Sequence, residues 1–220
     1  MKVIHKVVVG SRLHNLYNED SDFDYRGVFM HSLRDLISPF KKLKNTSWIE
    51  GDEDNTSYEL ADFCKAATKG NMTILEVLFS NMVVDTTDVG KEMVENRVKF
   101  LDSSRIFHAS KGYAHNQYKK MNLFEPDKRT PKFAVAYLRV LIQANELLKR
   151  GEFSPQITDE RDFLLEVKYN WNNSMIPELS RKFEYWQVKL ADTFANNHDR
   201  FSPDTEWIED FLYRSYAGNN

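Results

Sequence analysis

Two short motifs near the amino terminus, a Gly-Ser pair and an Asp-Phe-Asp triplet, constrain this chain more than any other feature. Gly10-Ser11 ends an apolar run that begins at Val7, and Asp22-Phe23-Asp24 opens a second apolar run. Because side chains alternate faces along a strand, Asp22 and Asp24 are expected to project together, about 6.7 Å apart along the backbone. The pattern predicts two strands that hold a Gly-Ser turn and a carboxylate pair.

These residue types suit phosphate chemistry. Two carboxylates so placed can hold a pair of divalent cations about 3.5–4 Å apart, which clamps the attacking and leaving oxygens of an in-line displacement. A Gly-Ser turn ahead of a helix offers backbone N–H groups and a hydroxyl to a polyphosphate. We therefore predict Mg²⁺ or Mn²⁺ at Asp22 and Asp24 and an NTP at Gly10 and Ser11. The ordinary alternative is a turn at 20–22 whose acids bond local backbone.

Several segments together resemble one protein family. Gly-Ser followed by Asp-x-Asp is similar to the DNA polymerase β-like nucleotidyltransferase superfamily, and within it to small predicted nucleotidyltransferases associated with RNA repair in bacteria and large phages. The resemblance extends over roughly residues 1–155 and includes YELADFCKAATKGNMTILEVLFS (58–80), GYAHNQYKK (112–120) and KFAVAYLRVLIQANELLKRGEF (132–153). It favours the metal site over an ordinary turn. It also implies transfer of an NMP from an NTP to an acceptor hydroxyl, with release of pyrophosphate.

The resemblance also implies a third carboxylate, four residues before the aromatic residue that opens the next helix. That aromatic is Tyr58, so the position falls on Asp54, with Asp52 as its competitor. A third carboxylate there would share the metal and accept the proton of the attacking hydroxyl. Glu59 is expected instead to close a capping box with Thr56, which is a structural role.

Basic residues later in the chain are candidates for phosphate binding. Lys132 and Arg139 lie seven positions apart on a predicted helix and therefore share a face. An Arg fork and a Lys charge on that face could grip a triphosphate or an acceptor phosphate, although solvated surface cations are the ordinary alternative. Arg12, beside the Gly-Ser pair, is also expected at the nucleotide. The family resembled usually has a histidine at the position of Ala136, so this chain departs from it there.

The order of predicted elements indicates an α+β fold. Strands are predicted at 2–9 and 23–30 and between residues 48 and 54, and helices follow from Tyr58 onward. The resemblance makes this a small nucleotidyltransferase-type mixed sheet with helices, followed by a helical carboxy-terminal domain. We predict a catalytic domain over 1–100 and a helical domain over 101–220.

Composition indicates what kind of protein this is and where it is found, but not which reaction it performs. With 220 residues and 41% hydrophobic content, the chain can build a real core, and its net charge of −3 argues against nucleic-acid binding by bulk electrostatics. The single Cys64 rules out an internal disulfide, and no secretion signal or run of about 20 apolar residues is visible. We therefore expect a cytoplasmic protein that does not engage membranes.

The acceptor is suggested by the resemblance alone. Association with RNA repair points first to an RNA end, such as a damaged tRNA end. Related enzymes also modify small molecules and protein hydroxyls, so a protein acceptor is the main alternative within the catalytic class. A non-catalytic nucleotide or RNA sensor on the same fold is the alternative from another class, and the intact Gly-Ser and Asp residues speak against it.

Overall fold

The computed structural model describes residues 1–43, 55–123 and 130–218. Strands and short helices occupy the amino-terminal part, and longer helices follow, which confirms the predicted α+β class with a helical carboxy-terminal region. The elements are β1 (Lys2–Val9), α1 (Gly10–Leu13), β2 (Asp24–Met30), α2 (Leu33–Leu36), β3 (Asn55–Glu59), α3 (Leu60–Ala67), α4 (Met72–Phe79), β4 (Val83–Thr86), α5 (Asp88–Glu95), a 3₁₀ turn (Arg97–Phe100), α6 (Ser103–Leu123), α7 (Thr130–Arg150), α8 (Arg161–Tyr169), a 3₁₀ turn (Asn173–Met175), α9 (Ile176–Asn197) and α10 (Thr205–Ala217).

The four described strands form one mixed sheet in the order β3-β2-β1-β4. β1 runs antiparallel to β2 and β4, and β2 runs parallel to β3. The register pairs Val9, the last residue of β1, with Asp24, the first residue of β2. This pairing places the Gly-Ser turn, which continues from β1, directly beside the aspartates that lead into β2.

One hydrophobic core joins the sheet to the helices. Val7, Val9 and Val28 of the sheet belong to the same buried cluster as Leu75 of α4 and Leu138 of α7. Burial of such side chains stabilises each by about 1.5–3 kcal/mol, so this cluster supplies most of the driving force for folding. The boundary between domains near residue 100 stays a prediction. No described helix has the length and apolar character needed to cross a membrane.

The first predicted helix starts later than its sequence pattern indicated. Tyr58 and Glu59 end strand β3, and α3 begins at Leu60. The capping box between Thr56 and Glu59 is wrong, because Thr56 lies in β3 and Glu59 itself caps α3 by accepting the Ala61 N–H at 2.8 Å. Pairing with β2 decided the conformation of this segment. The third strand predicted between residues 48 and 54 lies outside the described residues.

The segment between Val83 and Phe100 differs from the helices expected after Tyr58, because it contains a strand and a 3₁₀ turn. Helix α5 ends at Glu95, and a 3₁₀ turn follows, because Asn96 leaves the helical conformation with φ −100° and ψ 19°. Strand β4 was not predicted. Its Val83 and Val84 are exposed, so the strand lacks the alternation of buried and exposed residues that would have revealed it.

A buried hydrogen bond ties the last helix to the sheet. The Tyr216 hydroxyl of α10 donates to the carboxylate of Glu59, which is buried at the end of β3, and accepts the Ala61 N–H at 3.2 Å. Burial, followed by the Glu59 contact, raises the pKa of Tyr216, so the hydroxyl keeps its proton and remains a donor. The contact anchors α10 against α3.

We expect Tyr216→Phe to lower the free energy of unfolding by about 1–3 kcal/mol, because it removes the donor to one oxygen of the buried Glu59 carboxylate and leaves only the Ala61 N–H. Urea denaturation followed by circular dichroism measures the change. Tyr213→Phe on the same helix is the matched control, since Tyr213 is 74% exposed. Equal stability of the two variants would contradict an anchoring role for the Tyr216 hydroxyl.

Candidate active site

A cleft of about 480 Å³ lies where the Gly-Ser turn, the start of β2, and helices α7 and α8 meet. Five of the residues predicted from the sequence line it together: Ser11, Asp22, Asp24, Lys132 and Arg139. The remaining lining residues are His14, Leu16, Ser21, Val135, Ala136, Lys168 and Tyr169. The structure therefore brings the carboxylate pair, the Gly-Ser turn and the two helical cations to one place.

The Gly-Ser turn and the carboxylates fit against each other closely. Gly10 has φ +69°, a conformation that side chains other than glycine rarely adopt. A Cβ at Gly10 would also lie 2.1 Å from Oδ2 of Asp24, so the carboxylate would have to move from its position. Glycine therefore suits this position for two reasons, its backbone conformation and the space that it leaves for the Asp24 carboxylate.

A buried ion pair lies under the cleft. Glu76 of α4 is 1% exposed, and its Oε1 accepts hydrogen bonds from Nη1 of Arg139 and from Nε2 of His14, the latter at 3.0 Å. Nη1 of Arg139 also donates to Oε1 of Gln143 at 2.8 Å, and Nε2 of Gln143 donates to the Pro155 carbonyl at 3.1 Å. Arg139 is thus a fixed, buried cation and not a solvated surface residue.

A family model matches almost the whole chain. The model of RlaP, described as an RNA repair pathway DNA polymerase beta family, covers residues 1–212. The chain belongs to the RlaP family. This confirms the superfamily and the RNA-repair branch predicted from the sequence.

One curated relative shares part of this sequence. It is a protein of Enterobacteria phage T4, described as an uncharacterized 38.9 kDa protein in the nrdC-mobD intergenic region, and it is 28% identical over 132 residues. The match covers 54% of this chain and 39% of the phage protein. The chain therefore corresponds to well under half of that relative's length.

Arg12 of this RlaP-family chain lies outside the set of residues that line the cleft. Its Nε donates to the carbonyls of Ser21 at 3.0 Å and Asp22 at 3.3 Å, and Nη2 donates to Ser21 at 2.6 Å. The guanidinium also lies 3.9 Å from the ring of Phe23. These contacts hold the loop that carries Asp22. Nucleotide binding by Arg12 stays a prediction.

Helix α8 supplies two cleft residues that no sequence pattern predicted. Nζ of Lys168 donates to the Leu16 carbonyl at 2.5 Å, and the Tyr169 hydroxyl donates to the same carbonyl at 3.2 Å. Nothing in the local sequence distinguishes them from an ordinary helix end. Glu76 did leave a signal, since it is the one acid in the apolar run ILEVLF, and a carboxylate buried in this way needs a cation nearby.

The donors in the cleft suit a hard divalent cation. Magnesium prefers oxygen ligands, binds through one or two carboxylates, and completes its shell with waters and substrate phosphates. Asp22, Asp24 and the Ser11 hydroxyl provide oxygens of that kind in one cleft. Within residues 1–43, 55–123 and 130–218, no group of three His, Cys, Asp or Glu side chains forms a metal site. Asp54 and Asp52 lie outside those ranges.

The buried surroundings of Glu76 and His14 determine whether each is protonated at neutral pH. Burial alone would raise the pKa of Glu76, but the charge of Arg139, the hydrogen bond of His14 and the charge of Arg26 lower it well below its ordinary value. Burial, and then the charges of Arg139 and Arg26, lower the pKa of His14 against the opposing pull of Glu76. At neutral pH the site therefore contains an ionised Glu76 and a neutral His14 that donates from Nε2.

We expect Arg139→Met to lower the free energy of unfolding by about 3–5 kcal/mol, because it leaves the buried Glu76 carboxylate without its cation. Urea denaturation at pH 7.5 measures the loss. Arg150→Met on the same helix is the control, since its partner Glu146 pairs with it at the surface and such pairs contribute about 1 kcal/mol or less. A loss for Arg139→Met no larger than that of the control would show that the pair is not a structural constraint.

The neutral state of His14 predicts a pH dependence of stability. The unfolded chain takes up a proton at this histidine near pH 6.5, while the folded chain resists it, so the unfolded state binds more protons below that pH. Stability should therefore fall as the pH drops from 7.5 to 5, and His5, whose pKa burial also lowers, adds to the slope.

We expect His14→Gln, which keeps a donor for Glu76, to flatten this dependence. Urea midpoints of wild type and variant between pH 5 and 8 test it. Identical slopes for the two proteins would show that His14 is not held neutral by the fold.

Proposed function

We propose that this protein is a metal-dependent nucleotidyltransferase that moves an NMP from an NTP to an acceptor hydroxyl, with an RNA end as the acceptor. The observation that carries the proposal is the shared cleft of Ser11, Asp22, Asp24, Lys132 and Arg139 in a chain of an RNA repair pathway DNA polymerase beta family. Nucleotidyl transfer needs carboxylates to hold the metal, a turn with a hydroxyl group to bind phosphate, and cations to offset the charge of pyrophosphate.

The chain's own residues bind and orient the triphosphate. The Gly10-Ser11 turn and the Ser11 hydroxyl contact the β- and γ-phosphates, and Lys132 and Arg139 offset the charge of the departing pyrophosphate. Mg²⁺ or Mn²⁺, held by Asp22 and Asp24, would neutralise charge at the transferring phosphate and make the attacking hydroxyl more acidic.

Bond changes in this reaction balance without a further reactant. The acceptor oxygen forms a bond to the α-phosphorus, the bond from that phosphorus to the bridging oxygen breaks, and pyrophosphate leaves. The proton of the hydroxyl passes to a carboxylate, for which Asp54 remains our proposal. Asp54 directly precedes Asn55, and Asn55 pairs across the sheet with Tyr25, the neighbour of Asp24.

Preorganisation of Arg139 supports its role. Its two bonds to Glu76 and Gln143 are both made by Nη1, so Nε and Nη2 remain for an oxyanion in the cleft. A guanidinium that is fixed before the substrate arrives does not have to reorganise as charge develops on the leaving group. Replacement by Lys would keep the charge, but a single ammonium group could not bind Glu76 and Gln143 and also contact an oxyanion in the cleft.

We expect Asp22→Asn and Asp24→Asn each to lower transfer by at least about 100-fold, because a neutral amide is a poor replacement for a carboxylate at a cation that offsets transition-state charge. The assay supplies each α-labelled NTP with Mg²⁺ or Mn²⁺, total RNA and protein extract. Asp20→Asn, an exposed acid of the same loop, is the matched control and should retain activity.

Each outcome of this assay is decisive. Metal-dependent label on RNA that disappears in both Asn variants supports the proposal. Full activity of either variant overturns the roles of these carboxylates. Label on protein moves the acceptor to a protein hydroxyl, and NTP binding without turnover in the wild type leaves a nucleotide sensor.

A further inference from the structure

Three aromatic rings and two cations stack on one another beside the loop that carries Asp22 and Asp24. The guanidinium of Arg12 lies 5.3 Å from the ring centre of Tyr17 and 3.9 Å from that of Phe23. The rings of Phe23 and Tyr25 are stacked, with centres 6.3 Å apart and planes 15° apart, and Nζ of Lys6 lies 4.3 Å from the centre of the Tyr25 ring. We call these five residues the aromatic row.

The aromatic row is directly connected to the proposed active site. Phe23 stands between Asp22 and Asp24 in the chain, and Tyr25 follows Asp24. Because neighbouring side chains of an extended chain point to opposite faces, the rings project away from the carboxylates while sharing their backbone. Arg12 also donates to the carbonyls of Ser21 and Asp22, so the row and the carboxylate loop are held by the same side chain.

Much of this aromatic surface is left in water. Tyr17 is 47% exposed and Phe23 is 43% exposed, although the chain buries most of its other large apolar side chains in one core. The two cations are stacked against the rings and do not cover them completely. An exposed aromatic surface next to fixed cations offers a ligand both a flat face and a positive charge.

Nucleic acid with unpaired bases matches this combination. Unpaired bases stack on aromatic side chains, and nearby Lys or Arg contact the phosphates that connect them. A duplex does not match, since its bases are already stacked on each other and present only edges and backbone. An apolar protein surface does not match either, because it would remove water from the Arg12 guanidinium without supplying an anion.

We propose that the aromatic row binds the single-stranded end of the RNA acceptor. Bases stack on Tyr17 and Phe23, Arg12 and Lys6 contact phosphates, and the terminal hydroxyl enters the cleft at Asp22 and Asp24. The inference rests on the proposed function, because it assumes an RNA acceptor. It adds a binding surface and a requirement for unpaired bases.

The test is a binding measurement that does not depend on catalysis. Fluorescence anisotropy follows a labelled single-stranded RNA of about twelve nucleotides, without metal or NTP. We expect Tyr17→Leu and Phe23→Leu each to weaken binding about tenfold, because leucine keeps apolar volume and removes the stacking ring. Tyr213→Leu, which removes a 74% exposed ring from α10, is the matched control and should bind like the wild type.

Two further measurements distinguish binding from structure. A blunt duplex of the same sequence should bind the wild type more weakly than the single strand and should not distinguish Tyr17→Leu from it. In the transfer assay, Tyr17→Leu should raise KM for the RNA acceptor and leave KM for the NTP unchanged. A change in KM for the NTP alone would place Tyr17 at the nucleotide and overturn the inference.

Failure of the inference and failure of the proposed function give different results. Wild-type protein that binds no single-stranded RNA, or row variants that bind it as tightly as wild type, overturn the role of the row. Neither result affects metal-dependent transfer that is lost in Asp22→Asn. Conversely, RNA binding that depends on the row, in a protein that transfers no nucleotide, keeps the inference as an RNA-binding surface and removes the proposed reaction.

Discussion

The ion pair between Glu76 and Arg139 is the interaction on which the site depends. It joins α4, in the amino-terminal part, to α7 in the helical part, and both side chains are almost fully buried. Removing either charge alone would leave its partner in a medium of low dielectric constant. The pair therefore holds the two parts in one arrangement and keeps a cation beside the carboxylates, so the site is assembled only when the helices have docked on the sheet.

The contact between Gly10 and Asp24 is the second constraint, and it acts at the level of the backbone. The register that pairs Val9 with Asp24 brings the turn against the carboxylate, and the absence of a side chain at Gly10 leaves room for Oδ2. The conformation of the turn and the direction of the carboxylate are thus fixed together. A rigid arrangement of this kind favours binding to a developing charge, because little has to move during reaction.

Sequence patterns and the family resemblance were enough for the family and the fold class. They also named five residues that the structure places in one cleft, and the roles of those residues stay predictions. The sequence left a signal at Glu76 but did not identify its partner, because Arg139 is 63 positions away in the chain. Lys168 and Tyr169 were missed for the same kind of reason, since their hydrogen-bond partner Leu16 lies 152 and 153 positions away in the chain. The capping box at Thr56 failed for a related reason, since pairing of β3 with β2 outweighed a local preference for a helix start.

Arg12 couples the two surfaces that the proposals assign to different substrates. Its guanidinium lies against Phe23 in the aromatic row and bonds the carbonyl of Asp22, so anything that orders the ring also orders the carboxylate loop. A base stacked on Phe23 would exclude water from those hydrogen bonds and strengthen them. Because coupling between sites is reciprocal, a loop ordered by metal and NTP would in turn present the row in the conformation that binds RNA. Binding of either substrate would then favour binding of the other, which suits an enzyme that must hold an RNA end and a nucleotide together before transfer can occur.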